Sequence, residues 1–145
     1  MVVELIKGKK FLTQKGEQIA AEKVLKDHKI ICFYFSAHWC PPCRGFTPVL
    51  KDFYQEVGNE GDIAIIFVSS DRDEEQCKSY FNEHGDYLCL PYAERALKQK
   101  LSEKFEVKGI PTLVVCRSDG KLVTKQGRAE VMSKEPRALK REWLS

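Results

Sequence analysis

Two cysteines separated by two prolines, Cys40 and Cys43 in the run Trp39-Cys40-Pro41-Pro42-Cys43, are the residues whose types and spacing best suit chemistry. A thiolate can attack a disulfide to form a mixed disulfide, and a second thiol nearby can then displace the product. Sulfurs one helical turn apart lie close enough to bridge with little backbone movement. Half of a zinc site is the other use of such a pair. A tetrahedral zinc needs two further ligands, yet the chain holds no second C-x-x-C and no H-x₃₋₅-H, and His38 is crowded by Trp39 and the prolines. No metal is therefore expected.

The pair falls where an apolar run, Ile30 to Ala37, gives way to helical periodicity in Phe46, Val49, Leu50, Phe53, Tyr54 and Val57. At a helix N-cap a sulfur lies near the positive end of the helix and can accept from the N–H three residues on. Cys40 is thus expected to accept from the Cys43 N–H, to have a lowered thiol pKa and to be the more exposed sulfur. That makes it the nucleophile and Cys43 the resolving thiol. Pro41 and Pro42 suit the first turn, where their missing N–H groups cost little. Pro41 also withholds one donor from a Cys40 thiolate, so the loop should be rigid and the pKa depression short of extreme. A charged His38 beside Cys40 would favour the thiolate. Tyr34 shares a strand face with Cys32 and Ser36 and could tune the pair or simply pack.

The elements around the pair read as alternating strands and helices. Ile30 to Ala37 and Ile63 to Val68 lack clean alternation, as central parallel strands covered on both faces do. Thr112 to Cys116, the turn Ser118-Asp119-Gly120 and Leu122 to Thr124 read as a hairpin. Cys77, Tyr80, Phe81 and His84 suggest a second helix started by Asp73, Glu74 and Glu75 and ended by Gly85. Leu97, Leu101 and Phe105 suggest a third, and the Gly58 to Gly61 region ends the first. Phe11 to Thr13 is a candidate short strand and Ala20 to Leu25 a short helix. The expected architecture is α/β, a mixed central β-sheet flanked by helices on both faces.

Cys32, Cys77, Cys89 and Cys116 lie in apolar or periodic segments and are expected to pack in the core. Cys77 and Cys89 could serve as secondary redox sites, although nothing local in the sequence lowers their pKa. His28 and His84, at element ends, read as surface residues, and Lys134 to Arg141 as a solvated helix face.

The chain has 145 residues, 43% hydrophobic and 31% charged, with a formal net charge of +3 from 24 basic and 21 acidic side chains. This length suits one domain, residues 1–145. The charge is too balanced to argue for nucleic acid or a membrane surface. Residues 1–8 lack the apolar core of a signal peptide, and no apolar run reaches the roughly 20 residues of a membrane span. The expected location is the cytoplasm, with the nucleus as a second setting. There thiols stay reduced and disulfides tend to be catalytic, so a secreted six-cysteine framework is the reading set aside.

The segment Phe35-Ser36-Ala37-His38-Trp39-Cys40-Pro41-Pro42-Cys43-Arg44-Gly45-Phe46-Thr47-Pro48 resembles the active-site segment of the tryparedoxin and nucleoredoxin family within the thioredoxin superfamily. Val68 to Glu75, Leu90-Pro91-Tyr92, Gly109-Ile110-Pro111-Thr112, Gln126-Gly127-Arg128 and Trp143 continue the likeness in order. The resemblance implies a thioredoxin-like fold with a cis peptide before Pro111, beside the dithiol. It implies that the Ile110 backbone pairs with an extended substrate segment, that Trp39, Pro41, Ile110 and Pro111 form an apolar rim, and that Arg128 takes part in partner recognition. Thioredoxins proper carry a buried aspartate where this chain has Tyr34, and a phenol is no carboxylate base at neutral pH. The proton acceptor for Cys43 is left unassigned.

The leading expectation is a protein-disulfide reductase with no cofactor beyond the Cys40–Cys43 dithiol. Its partners would be disulfide-containing protein substrates and a dithiol or reductase as electron donor, with the chain a monomer. The alternative is a redox-regulated binding module that controls a signalling partner with little turnover. A peroxidase acting directly through Cys40 is weaker, because an apolar rim suits a protein substrate.

Overall fold

A computed structural model of the chain describes residues 2–145. In chain order the elements are α1 (Val2–Ile6), β1 (Lys10–Leu12), β2 (Gln18–Ala20), α2 (Ala21–Asp27), β3 (Ile30–Ser36), α3 (Pro41–Val57), β4 (Ile63–Ser69), α4 (Glu74–Phe81), β5 (Leu88–Cys89), α5 (Arg95–Lys104), β6 (Thr112–Arg117), β7 (Leu122–Thr124), α6 (Gly127–Ser133) and α7 (Pro136–Leu144). The strands form one sheet in the order β2-β1-β5-β4-β3-β6-β7. β3, β4 and β5 run parallel, while β6 and β7 on one flank and β1 and β2 on the other pair antiparallel.

Every residue of β3 and β4 is buried, which is why neither shows polar alternation. The faces still divide with the two-residue period of a strand. Ile30, Cys32 and Tyr34 of β3 and Ile63, Ile65 and Phe67 of β4 point to one core, with Phe46, Leu50 and Phe53 of α3, Tyr80 of α4, and Leu139 and Trp143 of α7. Ile31, Phe33, Phe35, Ala64, Ile66 and Val68 point to the other, with residues of α1, α2 and α5. This is the mixed sheet with helices on both faces expected from the pattern. Among the described residues, no helix is long and apolar enough to cross a membrane.

Three readings need correction. α4 ends at Phe81 with Asn82 as its cap, not at Gly85, and the chain turns there so that His84 dives under the sheet. His84 is 4% exposed rather than a surface residue, with its ring centroid 4.4 Å from those of Phe67 and Tyr80. His28 is half-buried, its Nδ1 2.9 Å from the Val24 carbonyl. The stretch from Lys134 is not merely solvated. In α7, Leu139 and Trp143 are core residues, and the buried Lys140 ammonium meets Asp62 at 3.2 Å, Glu60 at 3.4 Å and the Val57 carbonyl at 3.2 Å.

α6 lies hard against β6 because its first residue is glycine. A Cβ on Gly127 would come 2.8 Å from the Leu113 carbonyl oxygen, a contact no other residue type avoids. This close approach sets the position of the adjacent Arg128.

Candidate functional site

Cys40 is the N-cap of α3, in extended conformation (φ −99°, ψ 109°), and Pro41 and Pro42 occupy its first turn, both exposed. The cap position is the expected one, but its hydrogen bonding is not. Cys40 makes no side-chain cap bond to the Cys43 N–H. Its thiol points across to the Ile110 carbonyl, 3.7 Å away. A neutral thiol is a donor, and the Ile110 carbonyl, before the cis Ile110–Pro111 bond, is the acceptor beside it. Cys40 is 6% exposed and Cys43 wholly buried, so the outer sulfur belongs to Cys40. All six cysteines are free thiols.

Burial pushes the Cys43 thiol up to about 11, and its hydrogen bond with Cys40 adds to the rise, against the pull of hydrogen bonds from the Ser36 hydroxyl and the Ala37 backbone. Ser36 begins a buried hydroxyl chain. Its Oγ lies 2.7 Å from the Tyr80 hydroxyl, which lies 2.6 Å from Thr47 Oγ1, which lies 2.8 Å from the Tyr34 hydroxyl. Thr47 Oγ1 also donates to the Cys43 carbonyl at 3.0 Å. Tyr34 thus sits beneath Cys43 as a hydrogen-bonding anchor, and burial drives its phenol pKa upward, further from any role as a base at neutral pH.

Tyr80 bridges Ser36 to Thr47 in this chain, and the sequence analysis missed it. Thr47 could have been found, since it follows Cys43 by one helical turn, but Tyr80 is 44 residues from Ser36. Tyr80→Phe leaves two buried hydroxyls each short of a partner, which costs about 1–3 kcal/mol. Tyr34→Phe removes one good contact and should cost less. Urea denaturation of the two variants checks the order; equal losses would mean that the Tyr80 bridge matters no more than the Tyr34 contact.

The outer half of the loop is held from the β4–α4 turn. The Asp71 carboxylate, 4% exposed, accepts from the His38 N–H at 2.8 Å and from the Ser69 hydroxyl at 2.6 Å. The Trp39 indole N–H donates to the Ser70 carbonyl at 2.9 Å, leaving the ring 48% exposed with the Arg72 guanidinium 5.9 Å from its centroid. Tyr92 in turn donates to the Asp71 carbonyl at 3.0 Å and Arg95 to the Ser69 carbonyl at 2.7 Å. The His38 ring is exposed, its Nε2 3.7 Å from the Glu83 carboxylate, and it packs edge-on against Tyr80. Asp71 is the second residue that sequence reasoning missed, because a carboxylate in a run of acidic residues gives no sign that it is buried.

Two grooves flank the Ile110–Pro111 segment. Trp39 and Ile110 line one of about 350 Å³ with Phe35 and Val107. Pro111 and Arg128 line another of about 640 Å³ with Phe105, Lys125 and Met132. Of the residues expected to form one rim, Trp39 and Ile110 therefore line one depression and Pro111 the other, while Pro41 lines neither of the two.

The chain matches the family model described as thioredoxin-like over residues 27–122. It is 41% identical to nucleoredoxin of Mus musculus over 133 residues, 91% of this chain and 30% of the relative. It is 37% identical to tryparedoxin of Trypanosoma brucei brucei over 105 residues, 72% of each chain. The solved thioredoxin of Wuchereria bancrofti superposes with a TM-score of 0.83 at 42% identity, over 96% of both chains. The chain spans less than a third of the length of the nucleoredoxins it resembles.

Proposed function

The chain belongs to the thioredoxin-like family, in its tryparedoxin and nucleoredoxin branch, and from that membership we propose that it is a protein-disulfide reductase acting through Cys40 and Cys43. The observation that carries the reading is the order of the two sulfurs: Cys40 at the open end beside the Ile110 carbonyl, Cys43 buried behind it. The Cys40 thiolate attacks one sulfur of a substrate disulfide. That S–S bond breaks, the departing sulfur takes a proton, and a mixed disulfide remains on Cys40. Cys43 then loses its proton and attacks the Cys40 sulfur, so the substrate leaves as a dithiol and its two electrons have come from the protein. A donor dithiol or a reductase restores the pair.

Trp39 and Ile110 offer an apolar shelf to the substrate, and a substrate N–H can take over the Ile110 carbonyl once Cys40 is engaged. Arg128 and Lys125 give the neighbouring groove a positive edge for partner recognition. Asp71 and the hydroxyl chain hold the loop in place from behind. The setting proposed is a reducing compartment, cytoplasm or nucleus, where such a dithiol can be regenerated.

The test is insulin disulfide reduction driven by dithiothreitol. Wild type is expected to complete many turnovers and Cys40→Ser to fall to the uncatalysed background. A wild-type protein that cycles between dithiol and disulfide yet gives no turnover above background would overturn the reductase and favour a redox-controlled binding module.

A further inference from the structure

The mechanism leaves four thiols unused, and two of them touch. Cys77 on α4 and Cys89 on β5 carry sulfurs 4.0 Å apart. Each residue is 3% exposed, yet both line an open groove of about 400 Å³ with Leu12, Lys15, Glu74 and Tyr92. The other two are differently placed, because Cys32 and Cys116 point to opposite faces of the sheet. Burial raises both of their thiols, that of Cys116 to about 12.

We propose that Cys77 and Cys89 form a second redox-active dithiol, separate from Cys40 and Cys43, which a small hydroperoxide entering this groove oxidises to a disulfide. The sulfurs stand 4.0 Å apart, and a bridge closes that gap to about 2 Å. Cys77 is the attacking sulfur. Its thiol pKa is lowered by the hydrogen bond between the two sulfurs, helped by Ser69 and the Arg95 charge, against burial and the nearby Asp71, while the Cys89 thiol also reaches the Leu90 carbonyl at 3.3 Å. The sulfur–sulfur hydrogen bond and burial hold Cys89 protonated.

In the first step the Cys77 sulfur takes one oxygen from hydrogen peroxide. The O–O bond breaks, the peroxide is reduced, and its other oxygen leaves as water with the proton that the Cys77 thiol gave up. In the second the Cys89 sulfur attacks the Cys77 sulfenic acid. The S–S bond forms, the S–O bond breaks, and a second water carries off the hydroxyl and the Cys89 proton. Two thiols and one peroxide thus give one disulfide and two waters. The bridge would lie beside Ser69 and Asp71, and the Asp71 carboxylate holds the His38 N–H.

The full chain carrying Cys40→Ser and Cys43→Ser isolates this pair from the proposed reductase. After brief exposure of the folded protein to hydrogen peroxide, thiols are blocked with a maleimide in denaturant and counted by intact mass, and the peptides are mapped. Two of the four remaining thiols are expected to disappear into a single Cys77–Cys89 cross-link that dithiothreitol reverses. Adding Cys89→Ala should leave one oxygen on Cys77, formed more slowly without the Cys89 hydrogen bond and captured by dimedone. Wild type gives a second reading, with four of its six thiols consumed by the same treatment. Four free thiols in the folded variant, a bridge involving Cys32 or Cys116, or oxidation that stalls at Cys77 with Cys89 present would each overturn the proposal.

Discussion

A Cys43→Ser protein is expected to stop after half a cycle, holding one substrate molecule per chain as a mixed disulfide on Cys40. The reason is geometric and electrostatic together. Cys43 is wholly buried and Cys40, at 6% exposed, is the outer sulfur. Burial pushes the Cys43 thiol up to about 11, so at neutral pH it stays protonated and cannot compete for the first attack, since the thiolate is the nucleophile. Only after Cys40 is tied to the substrate does Cys43 have a disulfide within reach. Without it, steady turnover of insulin should drop to background while the adduct accumulates to one per chain. Non-reducing gel electrophoresis and intact mass, on Cys43→Ser beside Cys40→Ser, make the comparison. Adduct on the Cys40→Ser protein instead, or continued turnover by Cys43→Ser, would reverse or abolish the assigned roles.

Acid should unfold the protein through His84. Burial, with a smaller contribution from the Lys51 charge, pushes its imidazole down to about 3, whereas an unfolded histidine titrates near 6.5. The folded value is the lower one, so the stabilisation is fully present above about pH 6.5 and is lost as pH falls toward 3. Within that window the unfolded chain binds a proton that the folded chain refuses, which costs about 1.4 kcal/mol per pH unit. Across the whole window the loss is on the order of 5 kcal/mol, comparable with the total stability of many small domains. The cause is visible in the packing. Tyr34, Phe67, Tyr80, Phe81 and Tyr87 surround the ring. Nδ1 lies 2.8 Å from the Tyr87 hydroxyl, and the buried Nε2 has no hydrogen-bond partner among the described residues. Urea unfolding under reducing conditions between pH 6.5 and 4.5, above the range of most carboxylates, is the measurement. Wild type should lose stability steeply there, and His84→Gln, whatever its stability at neutral pH, should give a nearly flat line. Parallel slopes for the two proteins would show that the histidine titrates normally.

The same residue shows where sequence reading falls short. At the end of a helical pattern, next to a glycine, His84 resembles an exposed terminal residue. The helix ends at its Asn82 cap and the ring packs inward against Tyr34 of β3 and Phe67 of β4, partners far from it in the sequence. Gly85 looks like the helix terminator for the same reason. β5, of two residues, is too short to carry a periodic signal at all.

What the amino-acid sequence determined by itself is local. It placed Cys40 and Cys43 on one turn at the junction of a buried strand and a helix, put the prolines in the first turn, and ranked the two sulfurs by exposure. It also indicated a mixed sheet covered on both faces. Period, cap and turn chemistry act over a few residues, so they are written in a few residues. The tertiary structure alone decided which groups meet: Cys40 with the Ile110 carbonyl 70 residues away, Ser36 with Tyr80 at 44, and His38 with Asp71 at 33. Cys77 and Cys89 are only 12 residues apart, yet their contact too required α4 to pack onto the strand that follows it. Such meetings depend on the packing of whole elements against the sheet. No window of sequence contains both partners and the surface that brings them together.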